Sequence, residues 1–229
     1  MAKKNTQQAD NLQELESALT RTEQFIENNQ KTITYVIGAI VLVVVAYLGF
    51  NKFYLEPKTN EAQTQLFTAE NYFEKDSFNL VLNGDGNYPG VLEIIDNFGM
   101  TKQANLANYY AGISYLRLGQ YEEAVEYLSG FSTDDFLLAP VKEGALGDAY
   151  VELGEQDKAL SQYKKAYGLN ANEFTTPIYL QKAGVLMESM DELEDALKVY
   201  NQIKDDYPNS TEGRNIDKYI SRVEVKLSK

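Results

Sequence analysis

The feature that most constrains this chain is an uncharged run of 20 residues from Thr32 to Asn51, TITYVIGAIVLVVVAYLGFN. At about 1.5 Å per residue, a helix over this run spans roughly 30 Å, the thickness of a bilayer's hydrocarbon core. Its many β-branched residues would suit a strand in water, but a lone strand in lipid leaves its backbone polar groups unpaired. The run and the aromatic residues that follow it therefore predict a single transmembrane helix at residues 32–54.

A cleavable signal peptide is the main alternative for this run. Such peptides combine a basic start, an apolar core of about 7–15 residues and a small-x-small cleavage site. Here the run comes after 31 residues that are rich in acidic and amide side chains. Its small residues Ala46 and Gly49 do not form the cleavage pattern. We therefore predict an uncleaved membrane anchor.

Residues 1–31 form a polar tail before the anchor. Within the tail, Leu12, Leu15, Leu19 and Ile26 recur at helical spacing and predict a short amphipathic helix. It either rests at the membrane interface or docks on a membrane partner. Lysine and arginine residues flank the span equally on both sides, and the further lysines near the start of the tail favour a cytoplasmic N-terminus.

Two further features concern the predicted transmembrane helix and the residues that follow it. Four residues fall on one face of the predicted transmembrane helix: Gly38, Leu42, Ala46 and Gly49. Small residues let helices approach closely in lipid, so this stripe is a candidate contact for a partner helix, although such residues are common in any span. After the span, Pro57 lacks the N–H that continues a helix and restricts Glu56 to extended geometry, which predicts a hinge at residues 55–59.

Composition narrows the chemistry of the rest of the chain. The sequence has no cysteine and no histidine, and its formal net charge is −13. These absences exclude disulfides, thiolate metal sites and the commonest general base, and no nucleophile-elbow pattern replaces them. A strongly acidic chain is also a poor partner for nucleic acid. We therefore predict no enzymatic activity, no metal, no cofactor, no small-molecule substrate and no nucleic-acid partner.

Residues 60–229 predict a helical repeat domain. Three segments superimpose when Ala124, Ala159 and Ala196 are aligned, at steps of 35 and 37 residues. Gly112, Gly147 and Gly184 recur in the same register. This is the period of tetratricopeptide repeats, whose small residues let two antiparallel helices cross closely. The predicted fold class is all-α, a single transmembrane helix followed by a tetratricopeptide-repeat α-solenoid. Its parts are a degenerate pair at 60–98, repeats at about 105–138, 140–173 and 177–210, and a capping helix at 212–227.

In tetratricopeptide arrays the first helix of each pair lines a concave groove. The positional pattern of these repeats places ten residues of this chain there: Tyr109, Ile113, Leu116, Arg117, Asp148, Val151, Glu152, Gln181, Val185 and Glu188. Only Arg117 is basic among three acids, so a clamp for a C-terminal carboxylate is disfavoured. We expect a mixed apolar and acidic groove that binds an extended or helical segment of a partner protein; the alternative for each residue is a solvated face.

The layout of tail, span, degenerate pair and repeats resembles the YfgM-type ancillary subunits of the bacterial Sec translocon. The segments YFEKDSFNLVLNGDGNYPG, NYYAGISYLRLGQYEEAVEYL, GDAYVELG and DALKVYNQIKDDYP resemble the form found in Bacteroidota-type bacteria. The resemblance implies a non-enzymatic protein of the inner membrane with a cytoplasmic N-terminus and periplasmic repeats. It also implies association with SecYEG, with a PpiD-type membrane-anchored chaperone and with translocating polypeptides. A scaffold in another envelope complex, such as a secretion or motility machine, is the alternative.

Overall fold

The computed structural model describes the backbone of residues 2–228 and the side chains of residues 23–228. Over these residues the regular secondary structure is helical, with one isolated bridge between Gly84 and Pro89. The chain divides into two compact units, Met1–Pro57 and Lys58–Lys229. The predicted all-α fold class is confirmed.

The helices succeed one another with short connections. In chain order they are α1 (Ala2–Phe50), α2 (Glu56–Phe73), α3 (Phe78–Asn83), α4 (Val91–Phe98), α5 (Lys102–Arg117), α6 (Tyr121–Gly130), α7 (Leu138–Glu152), α8 (Gln156–Gly168), α9 (Thr176–Ser189), α10 (Leu193–Asp206) and α11 (Asp217–Leu227). A π-helical turn, Asn51–Leu55, lies between α1 and α2, and a 3-10 turn, Gly213–Asn215, precedes α11.

The first unit consists of α1, the π-helical turn and the first two residues of α2. Among the described residues, one helix is long and apolar enough to cross a membrane, and its most apolar 18-residue window has a mean hydropathy of 2.5 with none of it buried. This candidate span contains the predicted transmembrane residues. The side chains of Leu12, Leu15 and Leu19, on which the amphipathic tail helix was predicted, lie outside the described residues.

The boundary between the two compact units falls within the predicted hinge at residues 55–59, but the extended geometry predicted there is wrong. Glu56 has helical dihedral angles, φ −62° and ψ −48°, and α2 begins there. The turn before it is π-helical, with the Glu56 N–H donating to the carbonyl of Asn51. In a regular α-helix the Pro57 ring would clash with the carbonyl of Phe53. The wider π-helical turn relieves that clash, so the backbone on both sides of Pro57 is helical.

In the second unit, α5 to α10 form three helix pairs whose members cross at glycine. A Cβ atom added to Gly112 would lie 2.6 Å from Cγ of Leu128, and one added to Gly147 would lie 2.5 Å from a ring carbon of Tyr163. In the third pair, Gly184 meets the ring of Tyr200 in the same way. The predicted role of these glycines is therefore confirmed.

The turns inside the three pairs also match one another. Gly119 and Gly154, just after the first helix of their pairs, have positive φ angles of 76° and 74°. Asp191 stands at the corresponding position of the third pair and adopts the same conformation, with φ 63°. The turn that Asp191 makes is therefore of the same type, at a conformational cost that glycine avoids.

The helices before the first pair differ from the predicted degenerate pair. They are three, because α3 forms between α2 and α4. The side chains of Val81 and Leu82 from α3 are buried in one core with Leu66 of α2 and Ile94 of α4. A helix of six residues is too short to show helical periodicity in the sequence, so the pattern over 60–98 did not reveal it. At the other end, α11 lies within the predicted cap.

Candidate protein-interaction groove

The first helices of the three pairs, α5, α7 and α9, line an open cavity of about 660 Å³. Aromatic and aliphatic side chains make up most of its wall. The lining residues are Phe73, Tyr109, Ile113, Leu116, Arg117, Tyr121, Val141, Ala145, Asp148, Val151, Glu152, Tyr163, Tyr179 and Lys182. We call this cavity the groove.

The groove brings together most of the residues predicted from the repeat pattern. Seven line it: Tyr109, Ile113, Leu116, Arg117, Asp148, Val151 and Glu152. Gln181 and Val185 line a second cavity of about 290 Å³, which shares Val151 and Lys182 with the groove. Nine of the ten predicted residues therefore border two adjoining cavities.

The structure places Glu188, the tenth residue, elsewhere. Its side chain is only 6% exposed and lines neither cavity. It accepts hydrogen bonds from Arg222 at 2.5 Å, from Lys226 at 3.1 Å and from the Tyr200 hydroxyl at 2.8 Å. Because α11 supplies both cations, its packing covers this carboxylate and separates it from the groove. Glu188 is therefore a contact between the third pair and the cap.

Burial and hydrogen bonding have opposite effects on the Glu188 carboxyl. Burial raises its pKa, and the hydrogen bonds from Arg222, Tyr200 and Lys226 together outweigh that effect and hold the pKa below its ordinary value. Glu188 is therefore ionised at neutral pH and carries the negative charge that attracts the two cations of α11.

Lys182 is the main groove residue that the sequence analysis missed. Its ammonium lies 2.6 and 2.7 Å from the two carboxylate oxygens of Asp148, which also accepts a hydrogen bond from the Tyr163 hydroxyl at 2.7 Å. The same ammonium lies 5.9 Å from the ring centroids of Tyr163 and Tyr179. Lys182 lies 34 residues after Asp148, about one repeat period, and this spacing was the available signal.

These contacts change the expected charge of the groove. The sequence predicted a mixed apolar and acidic surface with one basic residue. The structure gives two cations, Arg117 and Lys182, and two carboxylates, Asp148 and Glu152. Among the side chains of residues 23–228, Arg117 forms no ion pair. The groove therefore combines apolar and polar surface with balanced charge, and Arg117 is the cation available to a ligand.

The tyrosines in the groove wall serve as neutral hydrogen-bonding groups. Burial, together with the nearby charge of Asp148, raises the pKa of Tyr163 far above its ordinary value. Burial has the same effect on the pKa of Tyr179, again with a contribution from Asp148. Both hydroxyls are therefore protonated at neutral pH. The wall combines apolar rings with a few polar groups, a combination also found in protein–protein interfaces.

The predicted partner face of the span lies in the other unit. A Cβ atom added to Gly38 or Gly49 would meet nothing within 4 Å, and the Leu42 side chain is exposed. Ala46 is exposed as well. Since the described residues place nothing against this face, its role as a helix contact stays a prediction.

Comparison with known proteins agrees with the repeat architecture. The tetratricopeptide repeat family matches residues 106–133 and 179–210, which cover the first and third helix pairs. A search of curated proteins finds no match for this chain. Among solved structures, the chain is similar to the first tetratricopeptide-repeat domain of Spaghetti (RPAP3), solved bound to the HSP90 peptide SRMEEVD. The identity is 24%, the TM-score is 0.45, and the alignment covers 56% of this chain and 98% of that one. The first and third helix pairs are therefore tetratricopeptide repeats, and the second pair shares their glycine crossing.

Proposed function

We propose that this protein is a non-enzymatic scaffold, held at a membrane by its N-terminal helix, whose groove binds an extended segment of a partner protein. The observation that carries this proposal is the groove itself, an open cavity of about 660 Å³ lined mainly by aromatic and aliphatic side chains. Tetratricopeptide repeats form extended concave surfaces of this kind, and such surfaces bind proteins. Arg117 gives the groove a donor for a carboxylate or a backbone carbonyl of the bound segment.

We further propose that the partner is the Sec protein-translocation machinery. The support is the order of the parts, a tail, one candidate span and then a repeat array, together with the resemblance to YfgM-type subunits. On this proposal the protein resides in the bacterial inner membrane with its N-terminus in the cytoplasm and its repeats in the periplasm. It links SecYEG to a PpiD-type chaperone or to translocating polypeptides, and Gly38, Leu42, Ala46 and Gly49 contact a helix of the channel.

The proposal is tested by purifying the tagged full chain from its own membranes in a gentle detergent and identifying the proteins that accompany it. We expect channel subunits and an anchored isomerase-type chaperone. Replacing residues 32–54 by an unrelated apolar span should remove the channel subunits. Substituting Val151→Asp in the groove should remove the partner that the groove binds, because a carboxylate there disfavours an apolar ligand.

Val225→Asp is the matched control for the groove substitution. Val225 is also an exposed valine on a helix, but it lies on α11 and lines none of the described cavities. Its substitution should leave the accompanying proteins unchanged. Recovery of a different envelope complex without channel subunits would overturn the Sec assignment and leave the scaffold proposal standing. If Val151→Asp and Val225→Asp behave alike, the groove is not the binding surface.

A further inference from the structure

A row of exposed apolar side chains runs along one edge of the repeat array, away from the groove. Met100, Phe136 and Phe174 each lie two residues before the first helix of a pair. Their exposed fractions are 67%, 54% and 74%. Single exposed apolar side chains are common on protein surfaces, but their recurrence at one position of three successive connections calls for a physical explanation.

Two side-chain hydrogen bonds join neighbouring parts of the array close to these positions. Asn105, near the start of α5, donates through its side chain to the carbonyl of Ser132 at 2.7 Å. The side chain of Asn170 donates to the carbonyl of Phe136 at 3.3 Å. The second bond places the connection that holds Phe174 against the one that holds Phe136, and Met100 occupies the same position of the preceding connection. We call this surface the loop edge.

At its C-terminal end the loop edge opens into a cavity of about 790 Å³ that is separate from the groove. Its apolar part is Phe174, Ile178 and Pro208, all exposed. Four carboxylates surround that apolar part: Glu173, Asp205, Asp206 and Glu212. This arrangement is an apolar floor with an acidic rim.

The acidic rim is not neutralised by the chain itself. Within the part of the chain whose side chains are described, none of the four carboxylates forms an ion pair. Arg214 also lines the cavity and offsets one of the four negative charges; its guanidinium donates to the carbonyl of Asn209 at 2.7 Å and to the Thr211 hydroxyl at 3.4 Å. The cavity therefore presents negative charge around exposed apolar side chains.

We propose that this end of the loop edge docks a cationic amphipathic segment of another protein, in which lysine or arginine residues alternate with apolar ones. Such a segment places apolar side chains on Phe174 and Ile178 and pairs its cations with the rim. A second copy of this chain is a poor complement, because its formal net charge is −13. Anionic lipid is a poor complement for the same reason, since the rim repels its headgroups. The proposal does not depend on what the groove binds.

The test measures binding of a fluorescent synthetic peptide of alternating lysine and leucine pairs to the full chain in nanodiscs of neutral lipid, by fluorescence anisotropy. Two variants remove one component each: Phe174→Ser removes the apolar contact, and Asp205→Asn with Asp206→Asn removes part of the rim. We expect each to weaken binding by about tenfold or more.

Matched controls separate docking from general attraction. Phe67→Ser removes an exposed phenylalanine of α2, and Glu122→Gln with Glu126→Gln removes two exposed carboxylates of α6. Each should change the affinity by less than about twofold. Equal binding to all variants would overturn the proposal. Weaker binding to the Asp205 and Asp206 variant with normal binding to Phe174→Ser would show plain charge attraction and also overturn it. Phe174-dependent association with neutral lipid vesicles, without peptide binding, would assign the surface to the membrane instead.

Discussion

The second and third helix pairs are built on the same framework and use it differently. In both, a tyrosine of the second helix packs on a glycine of the first and donates its hydroxyl to a carboxylate of that helix, Tyr163 to Asp148 and Tyr200 to Glu188. Asp148 then pairs with one lysine of the next pair and stays 34% exposed in the groove. Glu188 pairs with two cations and is 6% exposed.

The helix that comes next along the chain explains this difference. Lys182 lies 34 residues after Asp148, and Arg222 lies 34 residues after Glu188. The capping helix α11 thus brings its cation to the third pair as α9 does to the second. It adds Lys226, which covers the carboxylate further. Both pairs therefore contain the same arrangement, in which a tyrosine and a cation of a following helix bind one carboxylate. In the second pair this arrangement lines the groove, and in the third pair it holds the capping helix.

Substitution of the glycines that both pairs share should cost the most stability. Gly147→Ala and Gly184→Ala should each lower the free energy of unfolding by about 2 to 3 kcal/mol, because the added methyl group meets a buried tyrosine ring that its hydrogen bond holds in place. Urea unfolding of the full chain in detergent, followed by circular dichroism, measures the change. Gly168→Ala is the control, since a Cβ atom there meets nothing within 4 Å. A loss in one pair only would show that the two frameworks are not equivalent.

Glu188 and Asp148 should contribute different amounts to the free energy of unfolding. Glu188→Gln should cost about 2 kcal/mol, because charged hydrogen bonds to a buried group are lost. Asp148→Asn should cost about 1 kcal/mol or less, because water screens the partly exposed Asp148–Lys182 pair and the amide still accepts from Tyr163. The same unfolding measurement compares them. Equal losses would contradict the distinction between an open and a closed site.

Acid should weaken the stabilisation that Glu188 provides. The pKa of Glu188 is lowered in the folded chain from an ordinary value of 4.5. The stabilisation it provides is therefore complete above about pH 4.5 and is lost as the pH falls through the lower folded value. Unfolding measured from pH 6 down to about pH 3 should show a smaller acid dependence in Glu188→Gln than in the parent chain. The control Glu122→Gln should keep the parent's dependence; identical curves for Glu188→Gln and the parent would refute the assignment.

The turns inside the pairs should respond most weakly. Asp191→Gly should stabilise the chain by about 0.5 to 1 kcal/mol, because glycine adopts the positive φ angle of this turn without strain. Gly154→Ala, at the corresponding position of the second pair, should destabilise it by about 1 kcal/mol, since open space there leaves backbone strain as the only cost. Thermal unfolding of the two variants and the parent chain measures both changes in stability. Destabilisation by Asp191→Gly would mean that the aspartate side chain contributes more than its conformation costs.

Features encoded in a local sequence pattern could be predicted from the sequence. The glycine and alanine spacing revealed the helix crossings, and the apolar run revealed the candidate span. Contacts between repeats were harder to predict. Lys182 and Asp148 are 34 residues apart, and only the stacking of α7 and α9 brings them together. The repeat pattern placed Glu188 in the groove, but the cations of α11 cover it in the structure. Because a residue before proline is usually extended, the sequence predicted extended geometry at Glu56. The π-helical turn before Glu56 instead allows a helix there.

Photo-crosslinking from the groove in the protein's own membranes is the decisive experiment for the proposed scaffold function. A photoreactive amino acid replaces Val151 in one full-length variant and Val225 in another. We expect the Val151 variant to form adducts with a Sec channel subunit, a PpiD-type chaperone or a translocating polypeptide, and the Val225 variant to form none of them. If the Val151 variant forms no adduct with another protein, or the same adducts as the Val225 variant, the groove is not a binding surface and the proposed function is wrong.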